Sequence, residues 1–210
     1  MQLIVITYPD FIAEEAAKIN ALFDAGLEIL HVRKPKALKE EYIALLDSIQ
    51  SYYHSKIKIH EYFELTDDYE LLGVHLNARN PKYEGNKQVQ ISKSCHSLEE
   101  FSAIDEYDYV FLSPIFDSIS KEGYDSGFSD KVLKEASKQG LINNKVIALG
   151  GINATTLPLL KNYAFGGAAV LGNIWGTEDV VSCFAQLKIE NEQHCNGRSN
   201  SPLRGIKGDV

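Results

Sequence analysis

Two glycine-bearing ends, Gly150-Gly151 and Gly172-Asn173, sit one strand–helix unit apart in the stretch from Lys145 to Gly176. Each follows a buried-looking apolar run, VIAL and AAVL, so the pattern reads strand, glycine loop, helix, strand, glycine loop. Glycine lets backbone N–H groups approach an anion with no Cβ in the way. In a (β/α)8 barrel the loops after strands 7 and 8 are a frequent phosphate site. Glycines that merely cap helices in an ordinary α/β protein are the alternative. The spacing near the end of a barrel-length chain favours the phosphate cradle.

Barrel chemistry is placed at the C-terminal ends of strands, so the residues there are the candidate site. Strand 2 ends in His31, Arg33, Lys34 and Lys36, strand 3 in His60 and Glu61, and strand 4 in His75 and Asn77. Strand 5 ends in Ser94, Cys95 and His96, and strand 6 leads into Ser118, Ser120 and Lys121. This cationic, hydroxyl-bearing and imidazole-bearing set suits anionic oxygens. Arg33 can grip a phosphate bidentately and Lys121 can act as a point charge. Each residue also has a plain reading: His75 can point into the barrel wall, Arg33 can simply pair with Glu61, and the serines can be loop hydroxyls. The constellation carries the inference, not any one member.

The elements that must position these residues alternate along the chain. Apolar β-type runs are expected at Leu3–Thr7, Leu27–Arg33, Lys56–His60, Gly73–Leu76, Val89–Ser94, Asp108–Pro114 and the two runs above. Between them helical patterns are expected, with Ala16, Ile19, Leu22 and Phe23 forming one stripe and Tyr42, Leu45, Leu46 and Ile49 another in a helix from about Leu38 to Tyr53. Further helices are expected at about Tyr62–Leu71, after the Ser97-x-x-Glu100 capping pattern, at Asp130–Gln139, after strand 7, and at Glu178 to about Lys188. The segment NARNPKYEGNK has the composition of a loop, and the polar stretch Asp117–Phe128 is expected to be a mobile lid. The whole predicts an α/β single-domain (β/α)8 TIM barrel over residues 1–190 and a polar, disordered tail over 191–210. An open doubly wound sheet competes, but no G-x-G-x-x-G follows strand 1.

Composition bounds the partners. Apolar content of 44% and charged content of 24% are those of a soluble globular chain. A net charge of -8 with no basic stripe argues against nucleic acid. No apolar run approaches membrane-span length, and MQLIVITYPD reads as a strand rather than a signal peptide. Three scattered cysteines, Cys95, Cys183 and Cys195, fit free thiols in a reducing cytoplasm. Small phosphorylated molecules are therefore the expected partners, with self-association left open. Zinc-site spacings, a G-x-S-x-G elbow and a Walker motif are all absent.

Six motifs together resemble the thiamine phosphate synthase and thiazole tautomerase family. They are HVR at 31–33, GVHL at 73–76, SCHSLEE at 94–100, SPIFDSISK at 113–121, IALGGI at 147–152 and AAVLGNIW at 168–175. The resemblance implies a TIM barrel of thiamine biosynthesis. The synthase joins an aminopyrimidine pyrophosphate to a thiazole phosphate and releases pyrophosphate, with Mg²⁺ on that pyrophosphate. The tautomerase isomerises a thiazole carboxylate phosphate without metal. By position, Arg33 matches a pyrophosphate contact and Ser94 a serine of the reaction centre. Ser118, Ser120 and Lys121 match a loop that closes over phosphates. Gly150, Gly151, Gly172 and Asn173 match the thiazole-phosphate cradle, and His96 matches the acid/base proposed for the tautomerase. His31 joins the phosphate-binding set.

The departures concern the metal. Where the synthase pattern has Arg-Glu-Lys, this chain has Arg33-Lys34-Pro35, so Lys34 or Lys36 would have to supply the lysine. Where it has Asn-Asp after strand 3, this chain has His60-Glu61, and the second metal aspartate aligns with Asn80. Mg²⁺ prefers carboxylate and water oxygens in tight octahedral geometry. Glu61 moves the charge by a methylene and Asn80 loses it. The synthase reaction leads, a metal-independent tautomerase or a non-catalytic thiazole-phosphate binder being the alternatives.

Overall fold

The computed structural model describes residues 1–116 and 127–196, with no side-chain description at 103 and 193–196. Eight parallel strands close into a barrel in chain order: β1 (Gln2–Ile6), β2 (Ile29–Val32), β3 (Ile57–Ile59), β4 (Gly73–Leu76), β5 (Gln90–Cys95), β6 (Tyr109–Leu112), β7 (Val146–Leu149) and β8 (Gly167–Val170). The expected strands are thus all present. β8 returns to β1 with Val5 beside Val170, and Trp175 Nε1 donates to the Ile6 carbonyl at 2.7 Å across the closure. No helix among the described residues is long and apolar enough to cross a membrane.

Fewer α-helices form among the described residues than the periodicity predicts, and α2 is shorter. Among the described residues five α-helices form: α1 (Glu15–Asp24), α2 (Lys39–Ser48), α3 (Asp130–Lys138), α4 (Gly172–Trp175) and α5 (Val180–Asn196). Ile19, Leu22 and Phe23 of α1 and Tyr42, Leu45 and Leu46 of α2 are buried, as their spacing predicts. α2 stops at Ser48 rather than near Tyr53 because α1 caps it. Asn20 donates to the Ser48 carbonyl (3.3 Å) and accepts from the Gln50 N–H (3.0 Å), and a 3₁₀ turn, Ser51–Lys56, follows. The crossovers expected after β3, β5 and β7 are 3₁₀ segments, Phe63–Thr66, Leu98–Glu106 and Leu157–Asn162. Glu100 still forms its half of the expected cap, accepting from the His96 and Ser97 N–H groups (2.8 and 3.0 Å).

α5 runs six residues beyond the expected start of the tail. Lys188 reaches the Ala25 carbonyl (3.1 Å) and Asn191 the Met1 carbonyl (2.6 Å), which ties this end of α5 to the bottom of the barrel. Residues 197–210 lie outside the described residues.

Outside the sheet, Leu30, Val32, Val74, Val110, Val146 and their neighbours pack against the helices in one large apolar layer. The barrel interior is divided. Ile4, Ile6, Ile29, Tyr109, Phe111, Ile147 and Ala169 fill one side with apolar and aromatic groups. Strands β2–β5 fill the other with His31, Lys58, His60, His75 and Ser92, all buried. His31 pairs in register with Lys58, and His75 with Ser92.

Lys58 is the costliest of these. Its Nζ is buried with no hydrogen-bond partner and lies 4.3 Å from the Tyr109 ring centre. Burial pushes its pKa down to about 7, opposed by the Asp108 charge. Between pH 7 and 10.5 the unfolded chain holds this proton and the folded one does not, so stability rises with pH by about 1.4 kcal/mol per unit. Lys58→Met keeps the length without the charge. It is expected to raise stability by roughly 2–5 kcal/mol at pH 7 and to flatten the rise toward pH 10. Urea unfolding of both proteins at pH 7 and 9.5 measures this, and a variant less stable than wild type at pH 7 would refute it.

Candidate active site

Arg33 follows β2, and its backbone is clamped by β1. The Thr7 hydroxyl accepts from the Arg33 N–H (2.9 Å) and donates to its carbonyl (3.2 Å). Its guanidinium is half-buried and makes no hydrogen bond among the described residues. Burial, then the neighbouring Arg79 charge, lowers its pKa, while Glu61 opposes this. Glu61 does not pair with Arg33 through a hydrogen bond. Its Oε2 accepts from the Lys34 backbone N–H (3.0 Å) and its Oε1 from Arg79 Nη2 (3.2 Å).

Lys34 and Lys36 do not replace the family lysine. Lys34 Nζ is buried and saturated by Glu15 (2.6 and 2.7 Å) and the carbonyls of Tyr8 and Asp10 (2.8 and 2.9 Å). It anchors the loop before α1. Lys36 is exposed.

The metal expectation meets a misfit. Glu61 has a donor on each oxygen. Asn80 carries no charge, and its Nδ2 donates to the His60 carbonyl at 2.8 Å. One engaged carboxylate, flanked by two guanidinium groups, is a poor octahedral oxygen site for Mg²⁺. Glu61 and Asn80 therefore do not form the aspartate pair that the resemblance implies.

His31 also departs from expectation. It is fully buried inside the barrel, its Nδ1 2.9 Å from His60 Nε2 and its Nε2 2.5 Å from the Tyr109 hydroxyl. It cannot touch a ligand at the mouth. His75 lies inside the barrel rather than in its wall, bonded to Ser92 Oγ (2.9 Å) and Ser94 Oγ (2.8 Å). Ring nitrogens of His31, His60 and His75 approach within 4.8 Å of one another, a spacing open to a metal. Five of them are already spent on each other, Tyr109 and the serines, and a buried lysine lies alongside. Burial is the main reason all three are held neutral, His75 with its pKa down to about 3.

Ser94, half-buried at the end of β5, is thus fixed by His75 from below. His96, one residue past β5, is exposed at the rim, with Nδ1 3.2 Å from the Ser113 carbonyl and 3.3 Å from its hydroxyl. Ser118, Ser120 and Lys121, with the expected lid, lie outside the described residues.

The glycine loops meet as expected. Gly150 and Gly151 have φ of +99° and +64°, where side chains are strained, and a Cβ on Gly150 would stand 2.9 Å from Pro114 Cα. The space before Gly172 is open, so no packing requires glycine there. Together these loops line a cavity of about 830 Å³ with Ile152, Asn153 and Thr177. The N–H groups of Gly151, Gly172 and Asn173 have no backbone partner among the described residues. Asp179 at the rim faces its own helix, accepting from the Ser182 N–H (2.9 Å) and hydroxyl (2.5 Å).

A side chain at position 151 would both strain the turn and shield that N–H. Gly151→Val is expected to weaken binding of a thiazole phosphate at least about tenfold, the left-handed conformation alone costing ~1–3 kcal/mol. Gly172→Ala, whose Cβ meets no protein atom, tests the second loop of the cradle. Calorimetry on the folded variants decides, and unchanged affinity of the valine variant would sink the cradle.

Sequence reading missed Arg79, which sits in the loop after β4, and the buried group of Lys58, Ser92 and Tyr109. Alternation was the available signal: polar residues recur two apart at Lys58 and His60 and at Ser92 and Ser94.

The closed parallel barrel with glycine loops after its last two strands defines a class, the (β/α)8 barrels whose upper end commonly takes phosphate. Within that class the chain belongs to the family described as thiamine monophosphate synthase, whose model matches residues 3–174. A solved structure of a thiamine phosphate pyrophosphorylase from Bacteroides thetaiotaomicron is 42% identical, with a TM-score of 0.83, covering 91% of this chain and 98% of that one. A thiamine phosphate pyrophosphorylase from Pyrococcus furiosus shares the fold at 20% identity, with a TM-score of 0.75, covering 92% of this chain and 96% of that one. A thiamine-phosphate synthase of Listeria monocytogenes is 31% identical over 104 residues, 48% of each chain. The match thus spans about half the length of that relative.

Proposed function

We propose that this protein is a thiamine phosphate synthase, coupling an aminopyrimidine pyrophosphate to a thiazole phosphate and releasing pyrophosphate. The 42% identity to the Bacteroides thetaiotaomicron pyrophosphorylase over nearly the whole barrel is the observation that carries this. The site chemistry agrees with it. Free backbone N–H groups at Gly151, Gly172 and Asn173 would hold the thiazole phosphate. Arg33, set by Thr7 and without a hydrogen-bonding partner among the described residues, would take the pyrophosphate. As the C–O bond breaks, the departing group gains negative charge, and a fixed guanidinium stabilises that charge more than the ground state. Ser94, anchored through His75, would touch the reacting centre between the two phosphate sites. Lys121, Ser118 and Ser120 are the proposed closing groups.

Purified protein incubated with both substrates is expected to release pyrophosphate and form thiamine phosphate stoichiometrically. Isomerisation of a thiazole carboxylate phosphate, with no coupling, would replace this reading by the tautomerase. Binding of thiazole phosphate without turnover of either substrate set would leave only a binding protein.

A further inference from the structure

The corner where the resemblance implies a metal holds a guanidinium instead. Arg79 Nη2 lies 3.2 Å from Glu61 Oε1, and the Lys34 N–H holds the other oxygen. Asn80 is turned away into the His60 carbonyl, and the Arg79 N–H is fixed by Asn77 Oδ1 at 3.0 Å. Arg33 and Arg79 lie close enough to repel each other, and among the described residues Glu61 is the carboxylate that offsets them. Among the described residues, two guanidinium groups against one carboxylate leave about one unmatched positive charge in this corner. The Arg79 side chain is 49% exposed, so it can turn part of its fork to a ligand while Glu61 keeps the rest. A guanidinium offers five donors in a plane matched to phosphate oxygens and never loses its charge near neutral pH.

We propose that Arg79, oriented by Glu61, takes the place of a divalent cation, so that with Arg33 it binds a diphosphate group without metal. This rests on the synthase reading for the identity of the ligand, but concerns only how its diphosphate is held. Glu61 becomes a positioning residue for Arg79 rather than a metal ligand.

Inorganic pyrophosphate, titrated calorimetrically in EDTA and in excess Mg²⁺, tests this. Wild-type affinity in EDTA is expected to equal or exceed that in Mg²⁺. Arg79→Ala, a change at a half-exposed side chain, is expected to lose at least about tenfold in EDTA. Glu61→Gln, which releases Arg79, should lose less, and Arg79→Lys should recover part of the loss. The double change Arg79→Ala with Asn80→Asp removes the guanidinium and sets a second carboxylate in this corner, and should bind only when Mg²⁺ is present. Mg²⁺ tightening wild-type binding tenfold or more, wild-type affinity in Arg79→Ala, or no pyrophosphate binding in either buffer would each overturn the proposal. The two readings fail separately. Coupling that needs Mg²⁺ removes the metal-free corner and keeps the synthase, and metal-free pyrophosphate binding without coupling does the reverse.

Discussion

Acid should unfold this barrel steeply below pH 6.5. His31, His60 and His75 are buried and hydrogen-bonded inside it, and burial first, together with the Lys58 charge and other nearby charges, depresses all three pKa values. A depressed pKa means that the unfolded chain takes up protons that the folded one refuses. The histidines' contribution to stability is therefore complete above 6.5 and is lost as pH drops, for His75 down to about 3. Each such histidine costs about 1.4 kcal/mol per pH unit, and three acting together about 4 kcal/mol per unit. Against a total of roughly 5–15 kcal/mol, unfolding is expected within about two to three units. Chemical denaturation at pH 7, 6 and 5 gives the slope. His75→Asn, which keeps a donor and an acceptor for Ser92 and Ser94, should reduce the slope by about a third. A free energy of unfolding unchanged between pH 7 and 5 would show that the cluster is solvated or charged in the folded state.

Turnover should collapse in Arg33→Ala. On the synthase reading this side chain meets charge that grows as pyrophosphate departs, so its loss should lower kcat/KM by about 10²–10³-fold, the scale of losing one such donor. Arg33→Lys keeps the charge but not the fork and should recover only part. His96→Ala, at an exposed rim position bonded among the described residues only to Ser113 and the Glu100 cap, should cost less than about tenfold, below the usual share of a general acid or base. Steady-state kinetics on the three variants decides. A His96 variant that loses all activity while Arg33→Ala retains it would install the tautomerase in place of the synthase.

The amino-acid sequence by itself determined the barrel and its glycine-lined end. Apolar runs at barrel spacing can be buried only as parallel strands, and Gly150 and Gly151 adopt positive φ that their residue type alone makes cheap. Both are local properties, readable without knowing which strands touch. Helix lengths were less legible, because the cap that ends α2 comes from Asn20 on another helix.

The partners of the charged and imidazole groups were decided only by the tertiary structure. Two strand-end histidines, His31 and His96, look equally accessible in sequence. Strand alternation turns His31 into the barrel against His60 and Tyr109, whereas His96 lies one residue past β5 at the rim. Lys34 and Arg33 are adjacent, yet one is spent on Glu15 and the other lies near Glu61 and Arg79 with no hydrogen bond among the described residues. Glu61 could have met a metal, Arg33 or Arg79, and the loop after β4, nearly twenty residues further on, settled it by delivering Arg79. Such choices depend on contacts between strands that closure of the barrel creates, and no local spacing encodes them.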